Sequence, residues 1–208
     1  MEFTRRTITL HGGRELYILS PNTAICGIAS GHDHKGNALI WGNGTGYQFL
    51  SQCFAISAEL KNNEILYIPI RFEAVEQLRQ AFGDCVYNLN IICTNYCDTQ
   101  ISPKDIERAL GVKTFEERTI HRSAVVSKDY VESWKTERRL TVKTHKKNMC
   151  ITTNRDVFSA LARGAQKMQA YGDDYHNDFS PHTHFDWDEN TSVSLGVTLY
   201  YWSANNHK

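Results

Sequence analysis

The first half of the chain is a succession of short apolar segments separated by clusters of turn-forming residues. Each segment has four to seven residues, rich in Ile, Leu, Tyr and Ala, and most are bounded by Gly, Asn, Ser or Pro. Runs of this length and composition, punctuated by turns, are typical of β-strands. The segments that we predict to be strands here are RTITL, ELYIL, TAICGIA, ALIW, CFAISA and EILYIPI.

Three segments change to the three- and four-residue spacing of an amphipathic helix. They are RFEAVEQLRQAFG, SPKDIERALG and NRDVFSALARGAQKMQAYG. In the second, Ser102 is suited to cap the N-terminus, Pro103 to take the first helical position and Gly111 to end the helix. In the third, Asn154 can cap the N-terminus. SKDYVESW could add a helical turn, while VYNLNIICT, RRLTVKT and SVSLGVTLYYW have the pattern of further strands.

The order of these segments predicts the fold class. Strands and helices do not alternate regularly, which argues against a doubly wound parallel sheet. We therefore expect an α+β fold, with a mostly antiparallel or mixed sheet of short strands and three or four helices. The length of 208 residues suits a single domain, residues 1–208, in which residues 114–150 could form a basic sub-lobe.

Composition limits the class of protein. The net charge is zero, with 23 basic and 23 acidic residues, so no overall attraction to nucleic acid or membranes is expected. The N-terminus lacks the apolar region of a signal peptide, and no run reaches the roughly 18 apolar residues of a membrane helix. We expect a soluble, cytoplasmic protein without membrane contact. Cys26, Cys53, Cys93 and Cys150 lie in apolar runs and are expected to be buried free thiols.

The segment SPHTHFDWDEN, near the C-terminus, contains metal-ligand side chains at close spacing. His182 and His184 would lie on the same side of a strand, and Glu189 is one of the neighbouring carboxylates. Two imidazoles and a carboxylate suit a divalent transition metal such as zinc, iron or manganese. A metal-dependent enzyme is one hypothesis, and a polar loop is the alternative. A second pair, His32 and His34, either converges with the first or lies in an exposed turn.

Residues 118–147 are a markedly basic segment, with nine Lys or Arg residues and three acidic ones. Basic side chains interleaved with aromatic ones can bind phosphates and stack on bases. An acidic protein surface would be an equally suitable partner. The alternative is a solvated face that binds nothing. The candidate binding residues are Arg122, Lys128, Trp134, Lys135, Arg138, Arg139, Lys143, Lys146 and Lys147.

Two further features are compatible with an enzyme that uses a nucleotide. GNGTG, residues 42–46, follows a predicted strand, and a glycine-rich turn before a helix can hold a phosphate with its backbone N–H groups. A connecting loop is the alternative. His11-Gly12-Gly13, after the first strand, is similar to the His-Gly pair of some ADP-ribosyltransferases. That resemblance implies a transferase that uses NAD or another nucleotide.

These features support three functional hypotheses. The preferred one is a small cytosolic binding protein whose basic surface contacts nucleic acid or a nucleic-acid-handling protein machine, as an accessory factor or inhibitor. It is preferred because the sequence contains no strong catalytic motif. The metal-dependent enzyme and the nucleotide- or NAD-using transferase are the alternatives, so the sequence leaves open whether the protein is an enzyme.

Overall fold

The structure, a computed structural model, describes residues 1–23, 26–73, 75–95, 101–113, 115–126, 140–171, 181–185 and 196–202. Within these ranges the strands are β1 (Glu2–Thr9), β2 (Glu15–Pro21), β3 (Ile28–His32), β4 (Ala38–Gly42), β5 (Glu64–Ile68), β6 (Asn90–Asn95), β7 (Glu116–His121), β8 (Thr141–His145), β9 (Asn148–Thr153), β10 (His182–Phe185) and β11 (Val197–Tyr201). The α-helices are α1 (Gly44–Ser57), α2 (Val75–Phe82), α3 (Pro103–Leu110) and α4 (Arg155–Gln169).

Seven strands form the larger sheet, in the order β7-β1-β2-β5-β6-β9-β8. The sheet is mixed, because β2 pairs with β5 and β6 with β9 in parallel while the other neighbours are antiparallel. Side chains alternate between its two faces. Leu66 and Cys93 are buried on one face, and Ile65 and Ile92 are buried on the other. Both faces are therefore apolar and need a covering layer.

Four strands form the smaller sheet, in the order β10-β11-β4-β3. Its central pair, β11 with β4, is parallel, and the two outer pairs are antiparallel. Ile40 and Leu199 belong to the main core on one face. On the other face the Trp41 ring packs against Tyr200 and Phe82, with ring centroids 5.8 and 5.5 Å apart. This second face carries a separate aromatic cluster.

Helix α1 lies between the two sheets. It contacts β4 of the smaller sheet and β5 and β6 of the larger one, and it packs along α4, which covers β10 and β11. Asn43 caps α1, because its side-chain oxygen accepts the N–H of Gly46 at 2.9 Å. Tyr47, Leu50 and Phe54 are fully buried. Helix α1 is therefore the layer through which the sheets share one core.

The prediction of a strand at CFAISA is wrong. Residues 53–57 form the last part of α1, and Ala58 follows as its C-cap. Every residue from Cys53 to Ser57 is buried, because this end of α1 is enclosed by its neighbours, whereas Thr45 and Gln48 nearer its start are exposed. Its sequence therefore lacks the alternation of apolar and polar residues that marks a surface helix. A short apolar run cannot be assigned to helix or strand by periodicity alone.

The predicted α+β class is confirmed, with mixed sheets and four α-helices in the described ranges. The predicted caps are also present. The Ser102 hydroxyl accepts the N–H of Asp105 at 3.2 Å, and the Asn154 side chain accepts the N–H of Val157 at 3.0 Å. None of the helices in these ranges is long and apolar enough to cross a membrane.

Contact between α4 and β10 can be tested at Gly164. An Ala in a helix interior is ordinarily more stable than Gly by roughly 0.5–1 kcal/mol. Here, however, a Cβ atom would lie 2.4 Å from Cζ of the buried Phe185 ring. We expect Gly164→Ala to lower the free energy of unfolding by about 1–3 kcal/mol, measured by urea denaturation.

Gly44→Ala is the matched control for this prediction. Gly44 is also helical, but its added Cβ would meet only the Gln169 carbonyl, at 3.5 Å. That is an ordinary van der Waals contact, so we expect unchanged or slightly increased stability. Equal stability of the two variants would contradict the packing of α4 on β10.

Candidate functional site

A cavity of about 260 Å³ lies between α3 and the larger sheet. Its floor is formed by side chains of β6, β8 and β9, and its roof by the start of α3. The remaining wall comes from the turn before β5 and the start of that strand. The lining residues are Asn62, Glu64, Thr94, Asn95, Ile101, Ser102, Pro103, Ile106, Thr141, Lys143, Cys150 and Thr152.

The floor of the cavity is a row of threonines. Strand register places Thr94 beside Thr152, and Thr152 beside Thr141. The hydroxyl oxygens of Thr94 and Thr152 are 2.6 Å apart and share a hydrogen bond. Hydroxyl groups donate and accept hydrogen bonds, so this row can serve either kind of ligand group. Lys143 and Cys150 pair with each other in a second row of the floor.

The Cys150 thiol in this floor is not a poised nucleophile. Burial raises its pKa to about 11, although the neighbouring Lys143 acts in the opposite direction. Burial also raises the pKa of Cys93, on the other face of the sheet, to about 12. Thiols with such pKa values are protonated at neutral pH and react slowly. Cys150 therefore lines the cavity without supplying covalent chemistry.

A buried ion pair lies at the start of β5, beside the cavity. Nη2 of Arg122 lies 2.5 Å from Oε1 of Glu64, whose side chain is only 4% exposed. The other carboxylate oxygen accepts the backbone N–H of Lys61 at 3.1 Å. These contacts offset the cost of taking a carboxylate out of water. Arg122, one of the predicted binding residues, is thus an internal partner of Glu64.

The outer end of the cavity opens at β8, an edge strand of the larger sheet. Lys143 is exposed there. A two-residue loop, Lys146-Lys147, connects β8 to β9. Glu107 of α3 lies 2.8 Å from Nζ of Lys146 and 2.6 Å from Nε2 of His145. These contacts fasten α3 to the hairpin, so the roof and the edge of the cavity are held together.

The pKa of Glu107 is lowered, first by its hydrogen bond with Lys146 and then by the other contacts with the hairpin. A depressed carboxyl pKa means that the link is fully formed above the ordinary value of 4.5. It is lost as the pH falls through the lowered pKa. The clamp between α3 and the hairpin is therefore complete at neutral pH.

The predicted binding residues fall at opposite edges of the larger sheet. Arg122 follows β7 at one edge, and Lys143, Lys146 and Lys147 belong to the β8–β9 hairpin at the other. The two edge strands are six strand spacings apart, which is about 29 Å along a flat sheet. The remaining members of the set lie outside the described residues: Lys128, Trp134, Lys135, Arg138 and Arg139.

The candidate metal ligands His182 and His184 lie side by side on β10. Their ring centroids are 4.8 Å apart. Nδ1 of His184 is 2.9 Å from the Thr198 hydroxyl, and the His182 ring lies 5.4 Å from the Tyr200 ring. Glu189 is outside the described residues. Across the described ranges, no three His, Cys, Asp or Glu side chains form a group that could hold a metal ion.

His32, of the second histidine pair, lies away from the first pair, and His34 is exposed in the turn after β3. His32 ends β3, whereas His182 and His184 lie on β10, at the opposite edge of the smaller sheet. The two strands are three spacings apart, about 14 Å. Strand register also puts His32 level with Phe185, one residue from His184, and so on the other face. The His32 ring instead stacks on Tyr87, with centroids 4.7 Å apart.

The GNGTG segment is the start of α1. Gly42 ends β4, Asn43 is the N-cap and Gly44–Gly46 lie in the first helical turn. A Cβ on Gly46 would lie 2.4 Å from the carbonyl oxygen of Gly27. This glycine therefore permits close backbone packing. The His11 side chain is exposed in the β1–β2 turn.

Sequence reasoning missed most of the cavity. Lys143 was the one lining residue among the predicted site residues. Thr94 and Thr152 meet because β6 and β9 are parallel neighbours, although they are 58 positions apart. No local pattern reveals that pairing. A partial signal was Glu64, a charged residue at the start of an otherwise apolar strand.

No protein-family model, curated protein or solved structure matches the chain. Function must therefore be inferred from the geometry and charge of the described residues.

Arg122→Met tests the structural role of the buried ion pair. The substitution leaves Glu64 buried without its cation. Breaking a fully buried pair costs about 3–5 kcal/mol, and because Arg122 is partly exposed we expect a loss of about 2–3 kcal/mol in urea denaturation. The double variant Glu64→Gln, Arg122→Met should recover part of this loss. Arg118→Met, an exposed position on β7, is the control.

Thiol labelling tests the burial of the cysteines. Cys26 was predicted to be buried, but it is exposed and lies just before β3, outside any strand. At about pH 8, a thiol with a pKa near 11 is ionised in roughly one molecule per thousand. We expect iodoacetamide to modify Cys26 well before Cys93 or Cys150. Mass spectrometry of samples taken over time measures the labelling of each cysteine. Labelling of Cys150 as fast as Cys26 would contradict its buried, protonated state.

Proposed function

We propose that the protein binds single-stranded nucleic acid at the β8–β9 hairpin, with Lys143 and Lys147 contacting phosphates. The observation that carries the proposal is an unneutralised basic edge beside a polar cavity. Lys143 and Lys147 lie beyond ion-pair distance of every acidic side chain in the part of the chain that the structure describes. The chain as a whole has no net charge, so these lysines are a local concentration of positive charge.

The hairpin loop supports a role for its lysines. Two-residue hairpin loops favour Gly or Asn where φ is positive. Lys146 occupies that position, with a φ of 50°. In a residue other than Gly, the Cβ atom disfavours this conformation by roughly 1–2 kcal/mol. The ion pair between Lys146 and Glu107 holds the loop in this conformation, and Lys147 beside it stays exposed.

The opposite edge of the sheet provides a contrast. Arg122 is held by Glu64, and Nε of Arg6 lies 3.9 Å from a carboxylate oxygen of Glu117. Arg118 follows Glu117 directly on β7. Charges of both signs are mixed there. A polyanion would therefore be attracted to the β8 edge more strongly than to the β7 edge.

A purely protective role is the main alternative for these lysines. Charged side chains on an edge strand prevent sheets from joining edge to edge. That role needs charge but no neighbouring cavity. An acidic protein surface is a further possible partner, and it is an outcome of the test below. The clamp between Glu107 and the hairpin favours a binding site, because it fixes the lysines relative to the cavity.

Fluorescence anisotropy with short single-stranded DNA and RNA tests the proposal. We expect binding that weakens steeply between about 50 and 200 mM salt. Each phosphate contact on a single strand contributes a slope of about −0.7 to log K against log salt. The double variant Lys143→Gln, Lys147→Gln loses two such contacts. The slope should therefore become less negative by about 1.4, and binding at low salt should weaken.

The control is the double variant Lys35→Gln, Lys113→Gln, which removes the same charge from exposed positions elsewhere. It should bind like the unmodified protein. Equal effects of the two double variants would reduce the proposal to non-specific attraction. Absence of oligonucleotide binding, together with capture of an acidic protein that requires Lys143, would replace nucleic acid by a protein partner.

A further inference from the structure

We infer that a second cavity, on the part of the larger sheet formed by β7, β1 and β2, binds a free α-amino acid. The carboxylate of this ligand lies at Arg5 and Arg118, and its ammonium group lies at Glu116. The inference is independent of the β8–β9 hairpin and goes beyond the proposed function. The cavity has a volume of about 210 Å³. Its lining includes Arg5, Thr7, Glu15, Tyr17, Glu116 and Arg118.

Strand register brings the polar side chains of this cavity to one face of the sheet. Arg5 of β1 lies opposite Arg118 of β7. Thr7 of β1 lies between Glu116 of β7 and Tyr17 of β2. Directly opposite residues share a face, and so do residues two positions apart on a strand. The two arginines therefore form one row, and the other three side chains form the next row.

The row of two arginines favours an anionic ligand. Like charges directly opposite each other destabilise a pair of strands. Neither Arg5 nor Arg118 is within ion-pair distance of an acidic side chain in the ranges that the structure describes. An anion bound between them would remove the repulsion. A carboxylate suits this position, because a guanidinium group can donate two parallel hydrogen bonds to it.

Arg5 is held in place before any ligand binds. Its guanidinium carbon lies 3.8 Å from the centroid of the Tyr17 ring, which is a cation–π contact. The Tyr17 hydroxyl in turn donates a hydrogen bond to a carboxylate oxygen of Glu15. Nε of Arg5 is buried, so the side chain lies against the sheet. A side chain that is already ordered loses less entropy when it binds a ligand.

Glu116 supplies the opposite charge. Its side chain is exposed and, like the two arginines, has no ion-pair partner among the described residues. It precedes Arg118 by two positions, which is about 7 Å along a strand. The two charged groups of an α-amino acid, with hydrogen bonds of about 2.8 Å at each end, span a gap of this size. A simple anion would contact the arginines but would be repelled by Glu116.

Charge balance and size also favour a small zwitterion. On this face Glu15 and Glu116 balance the two arginines, whereas Glu117 alternates to the other face and pairs with Arg6. A polyanion is therefore not attracted here. A cavity of about 150 Å³ admits benzene, and drug-sized ligands occupy about 300–1,000 Å³. The volume of about 210 Å³ suits a single amino acid.

An NMR titration of the isotope-labelled full chain tests the inference. The probes are L-leucine, L-phenylalanine, L-lysine and L-glutamate, which cover the main classes of side chain. We expect at least one of them to bind with a Kd of about 1 mM or tighter and to shift the amide signals of β7, β1 and β2. Its N-acetyl derivative lacks the ammonium group, and its amide lacks the carboxylate. Each derivative should bind about tenfold more weakly or worse.

Two exposed positions allow each end of the ligand to be tested separately. Arg118→Gln should weaken binding of the amino acid by about tenfold, but it should not change the affinity for the amide. Glu116→Gln should weaken binding of the amino acid similarly, without changing the affinity for the N-acetyl derivative. A variant that failed to fold would instead lose all ligands alike. The matched controls are Arg71→Gln and Glu73→Gln, two exposed positions before α2, and both should bind normally.

The contrary outcomes are distinct. If none of the four probes shifts the signals of β7, β1 and β2, these side chains are solvated surface charges and the inference is wrong. Equal binding of the parent amino acid and its N-acetyl derivative would leave a simple anion site and overturn the zwitterion. The double variant Lys143→Gln, Lys147→Gln should bind the amino acid normally. A failure of oligonucleotide binding therefore leaves this inference intact, and the reverse also holds.

Discussion

Burial of most of α1 between the two sheets is the constraint on which the rest of the structure depends. The helix fills the space between two sheets, and complete burial of each large apolar side chain contributes about 1.5–3 kcal/mol. The buried polar groups of this helix have no access to water, so each needs an internal partner. The Tyr47 hydroxyl lies 2.6 Å from the Tyr200 carbonyl oxygen, and the Ser57 hydroxyl donates to the Cys53 carbonyl at 2.9 Å. These hydrogen bonds fix α1 to the smaller sheet and to itself.

The cavity beneath α3 lies on the face of the larger sheet that points away from α1. It exists because α3 covers only part of that face. Helix α3 has eight residues and is about 12 Å long. Seven strands extend over about 29 Å. Ile106 and Ala109 of α3 pack on the sheet beside Ile92. Near β8 the sheet becomes polar, with threonines in place of isoleucines. A short roof over a polar floor leaves space that the core does not fill.

Contacts between residues close together in the sequence could be predicted, whereas contacts between distant residues could not. Ser102 and Asn154 were correctly predicted as caps because a cap depends only on the next three residues. Helix α1 was missed in part because tertiary burial removes its periodicity. The pairing of Arg122 with Glu64, 58 positions away, depends on the strand order. Charge counting placed Arg122 in a binding surface, since it treats paired and unpaired cations alike.

The distribution of ion pairs therefore says more about function than the charge of a segment does. Arg122 is compensated inside the protein, and Lys146 is compensated by Glu107. Lys143 and Lys147 remain, both on the β8–β9 hairpin, and Lys143 lies at the rim of the cavity beneath α3. Both lysines are exposed, so their attraction for a polyanion is screened by salt beyond about 10 Å at 0.1 M ionic strength. Attraction by exposed charges does not depend on the order of the bases, so the hairpin lysines would supply affinity without sequence selectivity.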